Sequence, residues 1–184
     1  MIFSRRPCVR FAFLTLLIAT APYRADAQLL SEHDVKAAFL VNFAKFTEWP
    51  AGAFPDAASP FVIGVAGDEA LRRGIDHLAK GKLFSGRALQ TRNVKDANDV
   101  SQIHLLFIGR LPGFRAEDIL KALNGLPVLT VGDALGFCTE GGMIAFLLER
   151  DRLRFEIRFD ATEDAGLKVS SRVLALAKTV HGKK

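Results

Sequence analysis

The sequence predicts an α/β class: a single three-layer domain with a mixed sheet of about six strands flanked by helices. Two observations carry that expectation. Short apolar runs alternate with helix-length segments over most of the chain, the pattern of right-handed βαβ crossovers and a first group of four largely parallel strands. The last third instead shows two strand-like runs joined by a charged turn, which adds a C-terminal antiparallel hairpin. With 184 residues, 49% hydrophobic and 24% charged, the chain fits one globular domain and disfavours disorder, collagen-like repeats and a multidomain array.

Residues 1–27 stand apart as a removable signal peptide. Arg5, Arg6 and Arg10 form a positive n-region, Phe11 to Ala21 is apolar, and Ala25-Asp26-Ala27 places small residues where a signal peptidase reads them. Cleavage before Gln28 leaves a single domain over residues 28–184. The apolar run is shorter than the ~20 residues that a membrane-crossing helix needs. Ser4-Arg5-Arg6 leaves a twin-arginine export route open beside the general one, and Cys8 lies on the wrong side of the apolar run for a lipoprotein anchor. The expectation is a soluble protein exported to the periplasm.

The precursor carries a formal charge of +5. Without Arg5, Arg6, Arg10, Arg24 and Asp26 this falls to about +2, with Lys and Arg scattered among carboxylates, so nucleic-acid binding is disfavoured. Cys138 is the one cysteine after the leader, which excludes an intramolecular disulfide despite the oxidising destination. Stability must then come from the core. A domain of this size buries roughly two-thirds of its unfolded surface and can do without staples.

Along the chain, Ser31-Glu32-His33-Asp34 reads as a helix N-cap with an acidic first turn. Its helix is expected to run to about Trp49, where Pro50 stops it. Val35, Ala38, Phe39, Asn42, Phe43, Phe46 and Trp49 fall on one stripe of that helix, so Asn42 needs partners if buried. Phe61 to Ala66 is a buried strand, followed by a Gly67-Asp68 turn and a helix from about Glu69 to Ala79. A turn at Leu83–Gly86, strands at Arg87–Val94 and His104–Ile108, a helix at Ala116–Asn124 and a strand at Pro127–Val131 follow.

In the last third, Gly141-Gly142 precedes an apolar strand at Met143–Leu148, and Glu149-Arg150-Asp151-Arg152 turns into Leu153–Phe159. Leu153, Phe155, Ile157 and Phe159 alternate with Arg154, Glu156 and Arg158, the pattern of a half-exposed antiparallel strand at or near a sheet edge. A final helix is expected over Ala161–Val180, with Leu167, Ser170, Val173, Leu174, Leu176, Ala177 and Val180 on its packed face. Ala51–Pro60 and Gly132–Gly142 read as surface loops.

A search for chemistry finds no catalytic constellation. The histidines at 33, 77, 104 and 181 lack the spacing of metal ligands, and no nucleophile elbow is present. His104, at the start of an apolar strand, reads as a satisfied imidazole. Gly64, Gly67 and Asp68 sit after the first buried strand, where α/β proteins bind ligands, yet they form neither a dinucleotide fingerprint nor a P-loop. The charged run Glu149–Arg158 reads either as a solvated edge that discourages aggregation or as a recognition strip. Trp49 reads as core or as an interface anchor.

Val35–Pro50 (VKAAFLVNFAKFTEWP), Phe61–Gly67, Gly141-Gly142-Met143-Ile144, and Phe155-Glu156-Ile157 leading to Ala165–Ser171 (AGLKVSS) together resemble the YfiR family of periplasmic proteins, in order along nearly the whole mature chain. The resemblance implies a non-catalytic repressor, without cofactor or metal. It would bind the periplasmic sensor region of an inner-membrane diguanylate cyclase and so lower cyclic-di-GMP and biofilm formation. It also implies a homodimer, and sequestration by an outer-membrane, peptidoglycan-associated lipoprotein. Two positions depart from the family pattern. Ala145 stands where relatives carry a cysteine that pairs with the one at the position of Cys138, and Arg158 stands where asparagine is common. The partner surface expected from these readings comprises Glu48, Trp49, Pro50, Gly141, Gly142, Met143, Arg154, Glu156 and Arg158. The alternative is a periplasmic small-ligand receptor binding at Gly64, Gly67 and Asp68.

Overall fold

The structure is a computed structural model that describes residues 31–109 and 116–182; the signal peptide expected over residues 1–27 lies outside them. In chain order the elements are α1 (Glu32–Lys45), β1 (Thr47–Glu48), β2 (Phe61–Ala66), α2 (Glu69–Ala79), β3 (Leu83–Phe84), β4 (Arg87–Asn93), β5 (Leu105–Ile108) and α3 (Ala116–Ala122). They continue with β6 (Leu129–Gly132), β7 (Ile144–Glu149), β8 (Arg152–Arg158), α4 (Phe159–Asp164), β9 (Lys168–Val169), α5 (Ser171–Leu176) and β10 (Thr179–His181).

The main sheet has eight strands in the order β10-β8-β7-β6-β5-β2-β4-β3. Strands β4, β2, β5, β6 and β7 run parallel in sequence across it, and β7 and β8 form the antiparallel hairpin with Phe146 opposite Phe155. The α/β class, the four parallel strands and the hairpin are those the sequence predicts. The higher strand count comes from β3 and β10, two and three residues long, which are too short to show a period of two.

Alternation sends the strand side chains to two cores. One face packs Phe61, Ile63, Val65, Leu105, Phe107, Val131, Phe146, Phe155 and Ile157 under α1, α2 and the Leu167–Val173 segment. The other packs Val62, Ala66, Leu106, Ile108 and Ala145 under α3, Val100–Ile103 and Phe137–Cys138. Burying a large apolar side chain contributes about 1.5–3 kcal/mol, so these two layers hold the fold without a crosslink. No described helix is long and apolar enough to cross a membrane.

Helix α1 starts as expected: Ser31 Oγ accepts from Asp34 N–H while the Asp34 carboxylate accepts from Ser31 N–H, closing a capping box. It ends at Lys45, short of Trp49, because Thr47 and Glu48 leave the helix to pair with Val169 and Lys168. Its buried face is also different from the one expected. Ala37, Leu40, Phe43 and Ala44 face the core together with Lys36, whereas Asn42 is exposed and needs no internal partner. The stripe is rotated by about a third of a turn at 100° per residue. Phe39 remains at its margin, touching Phe43, Phe146 and Phe155 with ring centroids 5.7–5.9 Å apart.

The single helix expected over Ala161–Val180 is instead α4, β9, α5 and β10. Gly166 breaks it: its φ of 71° is left-handed, and the N–H groups of Gly166 and Leu167 fold back to Glu163 and Thr162 carbonyls. This is a helix C-terminal stop of the Schellman kind. The segment then extends to pair β9 with β1 and, after α5, lays β10 parallel to β8.

Candidate interaction surface

Helices and loops cover both faces of β2, β5 and β6, whereas the second face of the hairpin is covered only in part, by Phe137–Cys138 over Ala145. Phe155 and Ile157 of β8 are fully buried beneath α1, while Arg154, Glu156 and Arg158 between them point to the other face and keep contact with solvent. That face carries mixed charge in a fixed arrangement. Glu156 Oε2 lies 3.2 Å from His181 Nε2 on β10. Arg158 donates to the Cys138 carbonyl at 3.3 Å and approaches the Asp160 carboxylate at 3.6 Å. Arg154 is exposed, with no carboxylate at ion-pair distance among the described residues.

The turn before β7 borders this strip. Gly141 is exposed with φ 109°. Gly142 is buried, and a Cβ there would sit 2.1 Å from the Phe137 ring, so only glycine lets the chain pass. Met143 is half-buried, its N–H donating to Thr130 Oγ1 and its carbonyl accepting from Arg158 N–H. Gly141–Met143 and Arg158 thus meet around Cys138. The Cys138 thiol is buried and directed at the Met143 carbonyl, 3.8 Å away. Burial pushes its pKa up to about 12, with the Glu156 charge adding to the effect, so the nucleophilic thiolate is suppressed. Ala145, where the family resemblance implies a pairing cysteine, is buried in the same layer.

Glu48, Trp49 and Pro50 lie on and just after β1. Glu48 is exposed on β1 and Pro50 is exposed after it. Trp49 is half-buried, its indole N–H donating to the His104 carbonyl at 3.1 Å and its ring edge-on to Phe61 at 4.8 Å. It belongs to a stack in which Arg87 covers Phe54 at 3.9 Å, Phe54 lies on His104 at 4.3 Å, and His104 lies on Phe61 at 5.1 Å. Arg87 also donates to the carbonyls of Asp56, Ala57 and Ser59, tying the Ala51–Pro60 loop down. His104 Nδ1 accepts from Val62 N–H, which leaves the Nε2 proton for the Ala53 carbonyl and makes the neutral ring the fitting form. Burial holds the pKa of His104 below its ordinary value, against the hydrogen bond to Ala53 and with help from the Arg87 charge. Among the described residues no hydrogen bond or ion pair joins Glu48–Pro50 to the Arg154–Arg158 strip.

The three residues of the alternative site differ in exposure. Gly64 is buried mid-strand, where a Cβ would come within 2.6–2.8 Å of Ile103 and Leu106 side chains, so it serves sheet packing and faces no ligand space. Gly67 is exposed with φ 83°, and Asp68 caps α2 by accepting from Leu71 N–H while lying 3.4 Å from His33. A carboxylate already occupies the helix N-terminus that would otherwise attract an anion.

Sequence reasoning missed the buried cation. Lys36 is almost fully enclosed, pairing at 2.7 Å with both Glu32 and Asp133. Burial alone would lower its pKa, but the hydrogen bonds and charges of those two carboxylates outweigh it and raise the net value. The Glu32 partner is an i,i+4 signal; the Asp133 partner is 97 residues away and visible only after folding. Among the described residues no group of histidine, cysteine and carboxylate side chains is placed to hold a metal ion.

A family model described as YfiR/HmsC-like matches residues 33–178. No curated protein matches the chain. Among solved structures, a conserved domain protein from Vibrio cholerae superposes with a TM-score of 0.55 at 13% identity, covering 82% of this chain and 60% of its own. A Streptococcus pneumoniae ABC domain, solved in complex with L-Trp, gives a TM-score of 0.50 at 10% identity, covering 78% of this chain. The chain spans 60% of the length of each of those structures, and at such identities the likeness concerns the fold alone.

Proposed function

The chain belongs to the YfiR/HmsC-like family, and from that premise we propose a non-catalytic periplasmic regulator. It binds the periplasmic region of an inner-membrane diguanylate cyclase and holds the enzyme inactive, lowering cyclic-di-GMP and biofilm formation. The observation that carries the reading is the partly open second face of the hairpin: Arg154, Glu156 and Arg158 keep contact with solvent beside Gly141–Met143, while the sheet is covered on both faces around its centre. Such a mixed-charge strip sets the register of a partner and rejects wrong ones. Glu48, Trp49 and Pro50 belong to the same contact surface in this reading.

Repression then needs no chemistry. A regulator that prefers the inactive state of its partner shifts the equilibrium by its differential affinity, and moving it from 1:99 to 99:1 takes about 10⁴-fold preference. Homodimerisation and relief by a peptidoglycan-associated outer-membrane lipoprotein complete the proposal. Deleting the gene should raise cyclic-di-GMP and surface attachment, and restoring it should reverse both; unchanged levels after deletion would count against the reading. The second reading, a small-ligand receptor, draws on the switch of connection direction between β2 and β5, where open α/β sheets bind ligands. With Asp68 at the helix N-terminus, it takes a neutral or cationic ligand there. A thermal-shift screen of nucleotides, amino acids and metabolites that moves nothing would sink it.

A further inference from the structure

The tip of the β7–β8 hairpin carries a surface that meets the strip above only at Arg154. Two leucines there are exposed, Leu135 at 90% and Leu148 at 61%. With Phe146 and Leu153 they line a groove of about 550 Å³, bounded by Lys36 on the α1 side and Lys178 on the β10 side. On the opposite side of the turn a second hollow of about 710 Å³ is lined by Glu149, Arg150, Arg152 and Arg154. Glu149 borders both.

Charge is matched on one side and unmatched on the other. Lys36 is neutralised by Glu32 and Asp133, and Lys178 pairs with Glu149. Arg150, Arg152 and Arg154 have no carboxylate partner among the described residues. The turn itself is strained: Arg150 and Asp151 adopt φ of 48° and 60°, left-handed positions that two-residue hairpins normally give to Asn-Gly. Leu148 lies opposite Leu153, and Glu149 opposite Arg152, so alternation places the leucines on one face and the arginines on the other.

We propose that this tip docks an acidic amphipathic segment of a partner protein, with apolar side chains in the leucine groove and carboxylates against Arg150, Arg152 and Arg154. Charge complementarity selects the acid, and the groove selects the apolar anchor. A chain segment can cross the turn and meet both faces, whereas a flat bilayer meets one. The inference rests on the reading of the protein as a binding module and specifies the chemistry of what it binds.

Amide-resolved NMR titration of the purified protein tests it with three probes. These are a helical peptide with leucines on one face and glutamates on the other, the same peptide with lysines for glutamates, and phosphatidylglycerol vesicles. The expected result is shifts at Leu135, Leu148 and Arg150–Arg154 with the glutamate peptide, and affinity at least about 10-fold weaker with the lysine peptide. Arg152→Glu and, separately, Leu148→Ser should each weaken the glutamate peptide by about 10-fold while leaving the remaining spectrum folded. Equal binding of both peptides, no shift at the tip, or tip binding to the vesicles in place of the peptide would overturn the proposal. The same variants separate it from the wider reading. If the cyclase segment binds them as it binds the unaltered protein, the tip fails and the regulator stands. If the glutamate peptide seats at the tip while the cyclase segment does not bind, the regulator reading fails and the tip stands.

Discussion

Strands β5 and β8 occupy the same sheet and are used in different ways. Leu105–Ile108 is buried at every position, sandwiched between α1 on one side and α3 on the other. Arg152–Arg158 turns Leu153, Phe155 and Ile157 inward, the last two fully buried, and its other side chains are charged. The parallel half supplies two apolar layers and little that a partner can read. The hairpin shares the first layer through Phe146 and Phe155, and its second face is covered only at Ala145 by Phe137–Cys138. Stability and the proposed recognition thus fall to alternate residues of one strand, which makes them separable by mutation.

The sharpest way to break that comparison is through the shared layer. Phe107→Ala in β5 and Phe155→Ala in β8 should each cost about 3–5 kcal/mol in urea unfolding, because both rings are fully buried in the same core. If the hairpin were a loosely attached appendage, Phe155→Ala would cost far less than Phe107→Ala and the single-layer account would fail.

A smaller effect separates the His104 stack from the hairpin. The folded-state pKa of His104 is depressed, so its contribution to stability is complete above the unfolded value of about 6.5 and is lost as pH falls through the lower folded value. Protonation also puts a hydrogen on Nδ1, which then cannot accept from Val62 N–H. The urea midpoint should fall between pH 7.5 and pH 5 in the unaltered protein, and His104→Gln should flatten that fall while lowering the midpoint at neutral pH. A fall of the same size in His104→Gln would assign the acid sensitivity to other groups.

How much of this was legible in the sequence follows the same division. Phe61–Ala66 reads correctly because a strand buried on both faces is a continuous apolar run. Leu153–Ile157 reads correctly because one open face imposes alternation. Helix α1 misleads because Ala37, Ala38, Phe39, Leu40, Val41, Phe43 and Ala44 are apolar around most of its circumference, so several stripes fit and tertiary packing chooses among them. The final helix misleads because residues 167–180 match a helical period by chance, while pairing of β9 with β1 and β10 with β8 is set by distant strands. Arg154, Glu156 and Arg158 are visible as a strip, but their neighbours Cys138 and Gly141–Met143 come from another part of the chain. Leu135 and the Lys36–Asp133 pair leave no local signal at all.

The smallest expected effect on stability belongs to the open face and has the largest functional consequence. Arg154→Ala should change unfolding free energy by less than about 0.5 kcal/mol, since the side chain is exposed. The direct test is calorimetric titration of the purified protein, of Arg154→Ala and of Arg158→Glu against the periplasmic segment of a membrane diguanylate cyclase from the same organism. The account predicts binding at about micromolar affinity or tighter, weakened at least about 10-fold by either substitution. A folded protein that fails to bind, or binds equally well with both substitutions, would contradict it.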